Sequence, residues 1–197
     1  MIKFVRPAVL PVLLLAGLAT PALAHTGAGS TGSFMAGLGH PIGGLDHVLA
    51  MVAVGLWAAL RGGRAVWVWP LAFVTVMLLG GALGMSGVQL PFVEPGILAS
   101  IVVLGVLTAL AADVPVAAGA VLIAIFALFH GHAHGAEAPA TGAALLYAAG
   151  FALATAALHG VGIAFGLASK GALWRNLVRG AGAVTAALGV LLFAGVL

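Results

Sequence analysis

The chain has no cysteine among its 197 residues, which rules out disulfides, thiolate metal sites and cysteine nucleophiles. It is almost as poor in charge. Asp, Glu, Lys and Arg together supply 6% of the residues, where an ordinary soluble domain carries about 25%. Only four carboxylates are present, so each one calls for a reason. The seven Lys and Arg are too few and too dispersed for a phosphate-binding surface, and the sequence pI near 10.2 does not point to a nucleic-acid partner. No Gly-x-x-x-x-Gly-Lys-Ser/Thr run occurs, which removes the usual ATP-binding loop.

What is there is apolar. Hydrophobic residues make up 63% of the chain and the mean hydropathy is +1.27. These values predict an all-α integral membrane protein, with the lipid bilayer as its solvent. Residues 1–24 read as a cleavable signal peptide: Lys3 and Arg6 form the basic start, Ala8 to Ala19 the apolar centre, and Ala22-Leu23-Ala24 the small-residue cleavage site. An uncleaved first helix is the alternative. Residues 25–197 then form one six-helix transmembrane bundle. Its apolar segments run from Phe34 or Pro41 to Leu60, Val66 to Met85, Pro95 to Ala112, Val116 to His134, Thr141 to Ala168, and Leu177 to Leu197. Each is near the roughly 20 residues needed to cross a bilayer. Gly80-x-x-x-Gly84 and Gly162-x-x-x-Gly166 suit close helix packing.

Charge sets the expected orientation. After signal removal, six crossings put Arg61, Arg64, Lys170, Arg175 and Arg179 on one side, which the positive-inside rule makes cytoplasmic. Trp57, Trp67, Trp69 and Trp174 gather near the same interface. The expected location is a bacterial cytoplasmic (inner) membrane, with mature N- and C-termini periplasmic.

Two constellations carry chemistry. The first is His40-Pro41-Ile42-Gly43-Gly44-Leu45-Asp46-His47. On one continuous helix His40 and His47 would lie about 20° from eclipsed, with Asp46 one position aside. Gly43 and Gly44 leave room for a small ligand between them. The second is Phe129-His130-Gly131-His132-Ala133-His134-Gly135-Ala136-Glu137. If that helix persists to its end, His130, His134 and Glu137 share a face and His132 points away. Both constellations fall in the external half, and ionisable groups at membrane depth mark an ion pathway or a binding site. His159 lies deeper, as the next station inward, unless it is a structural histidine bonded to a carbonyl. Glu94 and Asp113 read as helix-end residues. Cleavage after Ala24 would make His25 the amino terminus, where amine and imidazole can chelate together. Imidazole and carboxylate without thiolate suit nickel, cobalt, zinc or copper(II). Such binding weakens as histidine protonates, near an unperturbed pKa of about 6.5.

These motifs resemble those of the hydrogenase/urease-accessory nickel permease family, HupE/UreJ. The likeness rests on His40-Pro41-x-x-Gly44-x-Asp46-His47-x-x-x-Met51, Phe129-His130-Gly131-x-Ala133-His134-Gly135-x-Glu137 and Leu158-His159-x-x-Gly162, with a signal peptide ending before His25-Thr26-Gly27. The resemblance implies a permease domain over residues 25–197 that brings nickel(II), or cobalt(II), into the cytoplasm for hydrogenase or urease metallocentre assembly. The metal is then the substrate, with no permanent cofactor and no catalytic residues. The expected metal-handling set is His25, His40, Asp46, His47, His130, His134, Glu137 and His159. A membrane metal sensor or assembly subunit is the alternative, and an intramembrane metalloenzyme the third class. Oligomeric state and any energising subunit stay open.

Overall fold

The computed structural model describes residues 34–138, 143–168 and 171–197. The expected signal peptide and His25 lie outside the described residues. Those described form helices only: α1 (Phe34–Gly43), α2 (Leu45–Arg61), α3 (Ala65–Met85), α4 (Val93–Leu110), α5 (Val116–Ala136), α6 (Ala144–Leu167) and α7 (Ala172–Phe193). From α3 to α7, all five are long and apolar enough to cross a membrane.

The first expected span is broken. α1 and α2 meet at an angle of 84° across Gly44. The sequence supplies the cause. Pro41, inside α1, has no N–H to return to the preceding turn, and the Gly43-Gly44 pair that follows has little helical preference. Gly44 is extended (φ −100°, ψ 120°), and its carbonyl accepts the first α2 bond from Val48 N–H at 3.1 Å. The expectation that His40 and His47 share one helix face is therefore overturned, because the axis turns between them. The last helix also begins earlier than expected, at Ala172, so that five further residues including Trp174 and Arg175 precede Leu177 in it.

α2 is the central post. Ala50, Met51, Ala53, Val54, Trp57 and Ala58 have no exposed surface. With 17 residues, it rises about 25 Å at 1.5 Å per residue. The helices around it keep one face inward and leave Leu71, Leu79, Val121, Leu145 and Leu153 outward. An apolar exterior of this kind belongs against lipid. Together these features define a multi-pass membrane protein.

Helix pairs close through glycine seams. A Cβ on Gly80, Gly84, Gly131 or Gly135 would run into the backbone of the partner helix in the α3–α5 pair. Gly55 and Gly162 do the same between α2 and α6, and Gly105 and Gly182 between α4 and α7. The expected Gly80-x-x-x-Gly84 contact is thus present, and Gly162 meets the carbonyl of Val52. With little hydrophobic drive between helices in lipid, such close packing supplies the cohesion.

The traverses alternate between two ends. α2 carries His47 in its first turn and finishes where Arg61 Nε donates to Val114 O, 3.0 Å away in the α4–α5 connector. We call these the histidine end and the arginine end. α3 returns to the histidine end, where Val88 just beyond it meets His132, and α4 descends to Ala109, which accepts from Arg179 Nε at 2.7 Å. This alternation is what carries α4, α5 and α6 back to the first histidine motif.

Candidate functional site

The break at Gly44 lays α1 against α6, and His40 packs on Tyr147 and Phe151 at ring-centroid distances of 5.9 and 6.0 Å. From there it meets the edge of His134 at 4.7 Å. His47, in the first turn of α2, reaches His134 at 4.4 Å. The two histidines of the first motif therefore converge on the second motif from two separate helices. His134 is the meeting point.

Asp46 fixes the chemistry of His47. Its Oδ1 accepts the His47 backbone N–H and lies 2.9 Å from His47 Nδ1. A carboxylate only accepts, so His47 carries its proton on Nδ1 and turns a bare Nε2 outward. That nitrogen lies 2.5 Å from His134 Nε2. Two lone pairs cannot meet so closely, so a proton lies between them, carried by His134 Nε2. A carboxylate behind an imidazole is the arrangement that orients metal-ligating histidines. Gly44 leaves this pair its room, since a Cβ there would lie 2.7 Å from Asp46 Oδ1 and 3.1 Å from His47 Nδ1 and would push the two side chains aside.

α5 stays helical to Ala136, and Glu137 follows with near-helical angles (φ −93°, ψ −6°). His40, His134 and Glu137 can each offer a ligand atom with all three within 4.8 Å of one another. His130, expected on the same face, is diverted: it is fully buried and its Nε2 lies 2.9 Å from Ser100 Oγ on α4. Its ring still meets His47 edge-on at 4.8 Å. His132 points the other way, as its register requires, and Nε2–H donates to Val88 O at 2.7 Å. His159 lies deeper, 1% exposed, its ring 5.0 Å from Phe73, and neither nitrogen has a hydrogen-bond partner among the described residues. Phe73 is also 5.7 Å from His130, so one phenyl ring contacts both imidazoles.

A cavity of about 220 Å³ opens here, lined by His40, Asp46, His47, Glu94, His134 and Glu137 among others. Glu94 is the residue that sequence reasoning set aside as a helix-end carboxylate. Its position at the start of α4 suits that role locally, and only the packing of α4 beside α2 and α5 brings it to the cavity. Three of the chain's four carboxylates thus share one space. Like charges held together repel, and a cation among them removes that cost. Within the cavity, His40, His134 and Glu137 offer two imidazole nitrogens and a carboxylate oxygen, a mixed N,O donor set that suits a divalent transition ion.

The fold and cavity define a polytopic membrane protein with a cavity lined by imidazoles and carboxylates at one end. Comparison with known proteins makes the assignment specific. The family model described as "HupE / UreJ protein" matches residues 13–192. Protein HupE from Rhizobium leguminosarum bv. viciae is 46% identical over 182 residues, covering 92% of this chain and 95% of that protein. The chain belongs to the HupE/UreJ family. No solved structure matches it.

Proposed function

We propose that this protein is an inner-membrane permease for nickel(II), with cobalt(II) as the second candidate, supplying the cytoplasm for hydrogenase or urease metallocentre assembly. One observation carries the reading: three imidazoles and three carboxylates converge on a single cavity at one end of an otherwise apolar bundle. Such groups are costly in a membrane and have little structural use there unless they meet a cation. The cation exchanges its water for the donors of the histidine end and then passes His130 and His159 inward. By the positive-inside rule the arginine end is cytoplasmic and the histidine end periplasmic. The metal is substrate, and the protein is not an enzyme.

The deciding experiment is metal uptake into proteoliposomes containing only this protein. Concentrative or equilibrating nickel influx supports the permease. Tight binding without influx replaces it with a sensor or assembly subunit. Reporter fusions at Gly63 and Gly171 should both read cytoplasmic, and a periplasmic readout at either breaks the assumed orientation.

A further inference from the structure

Ser100 is a buried polar residue for which the cavity gives no reason. It sits on α4 with no exposed surface. Its Oγ lies 2.6 Å from Ile97 O, in the bond to the preceding turn that serine commonly makes inside helices. Two oxygens at that distance need a proton between them, and the hydroxyl has only one. Toward its other neighbour, His130 Nε2 at 2.9 Å, Ser100 must therefore accept. The proton of that contact belongs to His130. A second N–H at Nδ1 would be a buried donor without an acceptor, since Nδ1 has no hydrogen-bond partner among the described residues. The ring is thus neutral, protonated on Nε2 and bare on Nδ1.

The location gives this tautomer a use. His130 touches His47 of the cavity on one side (4.8 Å) and, through Phe73, the neighbourhood of His159 on the other. We infer that Ser100 is a positioning residue: it locks His130 as the Nε2–H tautomer, so that Nδ1 stands as a bare donor for the cation leaving the cavity toward His159. The inference rests on the permease reading for its consequence, though the tautomer can be observed without transport. Ser100 plays for His130 the part that Asp46 plays for His47, with the ring turned over: one ring is fixed by an acceptor at Nδ1, the other by an acceptor at Nε2.

The test begins on the unmodified protein, ¹⁵N-labelled at histidine, in lipid bilayers without metal. Nitrogen NMR distinguishes a protonated from a bare ring nitrogen, and His130→Gln identifies the signals of His130 by their loss. Wild type should show His130 protonated on Nε2 alone. Ser100→Ala removes one small atom and leaves the cavity donors in place, and it should populate the second tautomer. Maximal nickel uptake by that variant should fall about tenfold, the usual scale for losing an orienting partner, while half-saturating nickel stays within about twofold. Finding His130 protonated on Nδ1 in wild type overturns the inference. So does a Ser100→Ala protein that keeps the single Nε2–H tautomer, or one that loses it yet transports at the wild-type rate. If even wild type moves no metal, the permease reading fails, and the tautomer measurement still decides what Ser100 does to His130.

Discussion

The two ends of the bundle use polar atoms in opposite ways. At the arginine end four side chains close on backbone carbonyls. Trp57, Arg61, Trp69 and Arg179 donate to the carbonyls of Ala112, Val114, Val116 and Ala109, at distances from 2.7 to 3.0 Å. Arg61 also pairs with Asp113 at 2.7 Å, and the connector they fasten turns through Ala111 in the left-handed region (φ 49°). At and below the histidine end the buried nitrogens Nδ1 of His130, His132 and His134, and both of His159, have no hydrogen-bond partner among the described residues. Buried polar groups in folded proteins are ordinarily hydrogen-bonded, and exceptions ask for an explanation. The contrast suggests a division of labour. Closed polar contacts hold the chain together at one end, and imidazole nitrogens without a partner among the described residues gather toward the other.

Removing the charge from the histidine end should have the largest effect. Asp46→Asn keeps an acceptor for His47 Nδ1–H but takes away the anion, so uptake should drop about tenfold or more with folding intact. Uptake assays on protein checked by gel filtration measure this directly. Wild-type transport by that variant would make the histidine end as structural as the arginine end.

Glu137→Gln comes next. Glu137 joins His40 and His134 in a three-residue group but is exposed at the helix end. Its loss should raise half-saturating nickel several-fold and change the maximal rate less, because the ligand acts at capture. A fall in maximal rate at unchanged half-saturation would move Glu137 from the mouth to the path.

Breaking the arginine end should cost stability and spare transport. The exposed Arg61–Asp113 ion pair is worth about 0.2–1 kcal/mol. Trp57→Phe, which deletes the hydrogen bond to Ala112 O, should cost about 1 kcal/mol. Thermal unfolding in detergent and uptake by the same samples separate the two outcomes. Lost transport at unchanged stability would show that this end also handles the ion.

The smallest effect is expected at His25, outside the described residues. If cleavage after Ala24 frees its amine, amine and imidazole together raise local metal concentration without forming the path, and His25→Ala should then slow uptake only at limiting nickel. Equal uptake there, in correctly processed protein, reduces His25 to a cleavage-site residue.

How far the sequence could be read depended on whether a property is local. The site residues were legible one at a time, since His and Asp stand out in an apolar chain. Their grouping was not. His40 and His47 were expected to meet along one face, and they meet instead through His134, because the Pro41 to Gly44 stretch bends the chain by 84°. The signal for a kink was present in Pro41 and the glycine pair, but proline inside a membrane helix gives no angle by itself. Glu94 was legible only as a helix-end carboxylate. Ser100 carried no signal at all, since a lone serine in an apolar run is common at helix interfaces.

The sequence by itself determined that this is a helical membrane protein, roughly where its spans lie, and that imidazole and carboxylate without thiolate are its chemistry. Those follow from run lengths, bilayer thickness and side-chain type, which need no partner to be evaluated. Only the tertiary structure decided which donors face one another, that Glu94 joins them while His132 does not, and that His130 turns to Ser100. Those depend on the bend at Gly44 and on which helices the glycine seams allow to touch. Each is a relation between segments far apart in the chain, which no single segment encodes.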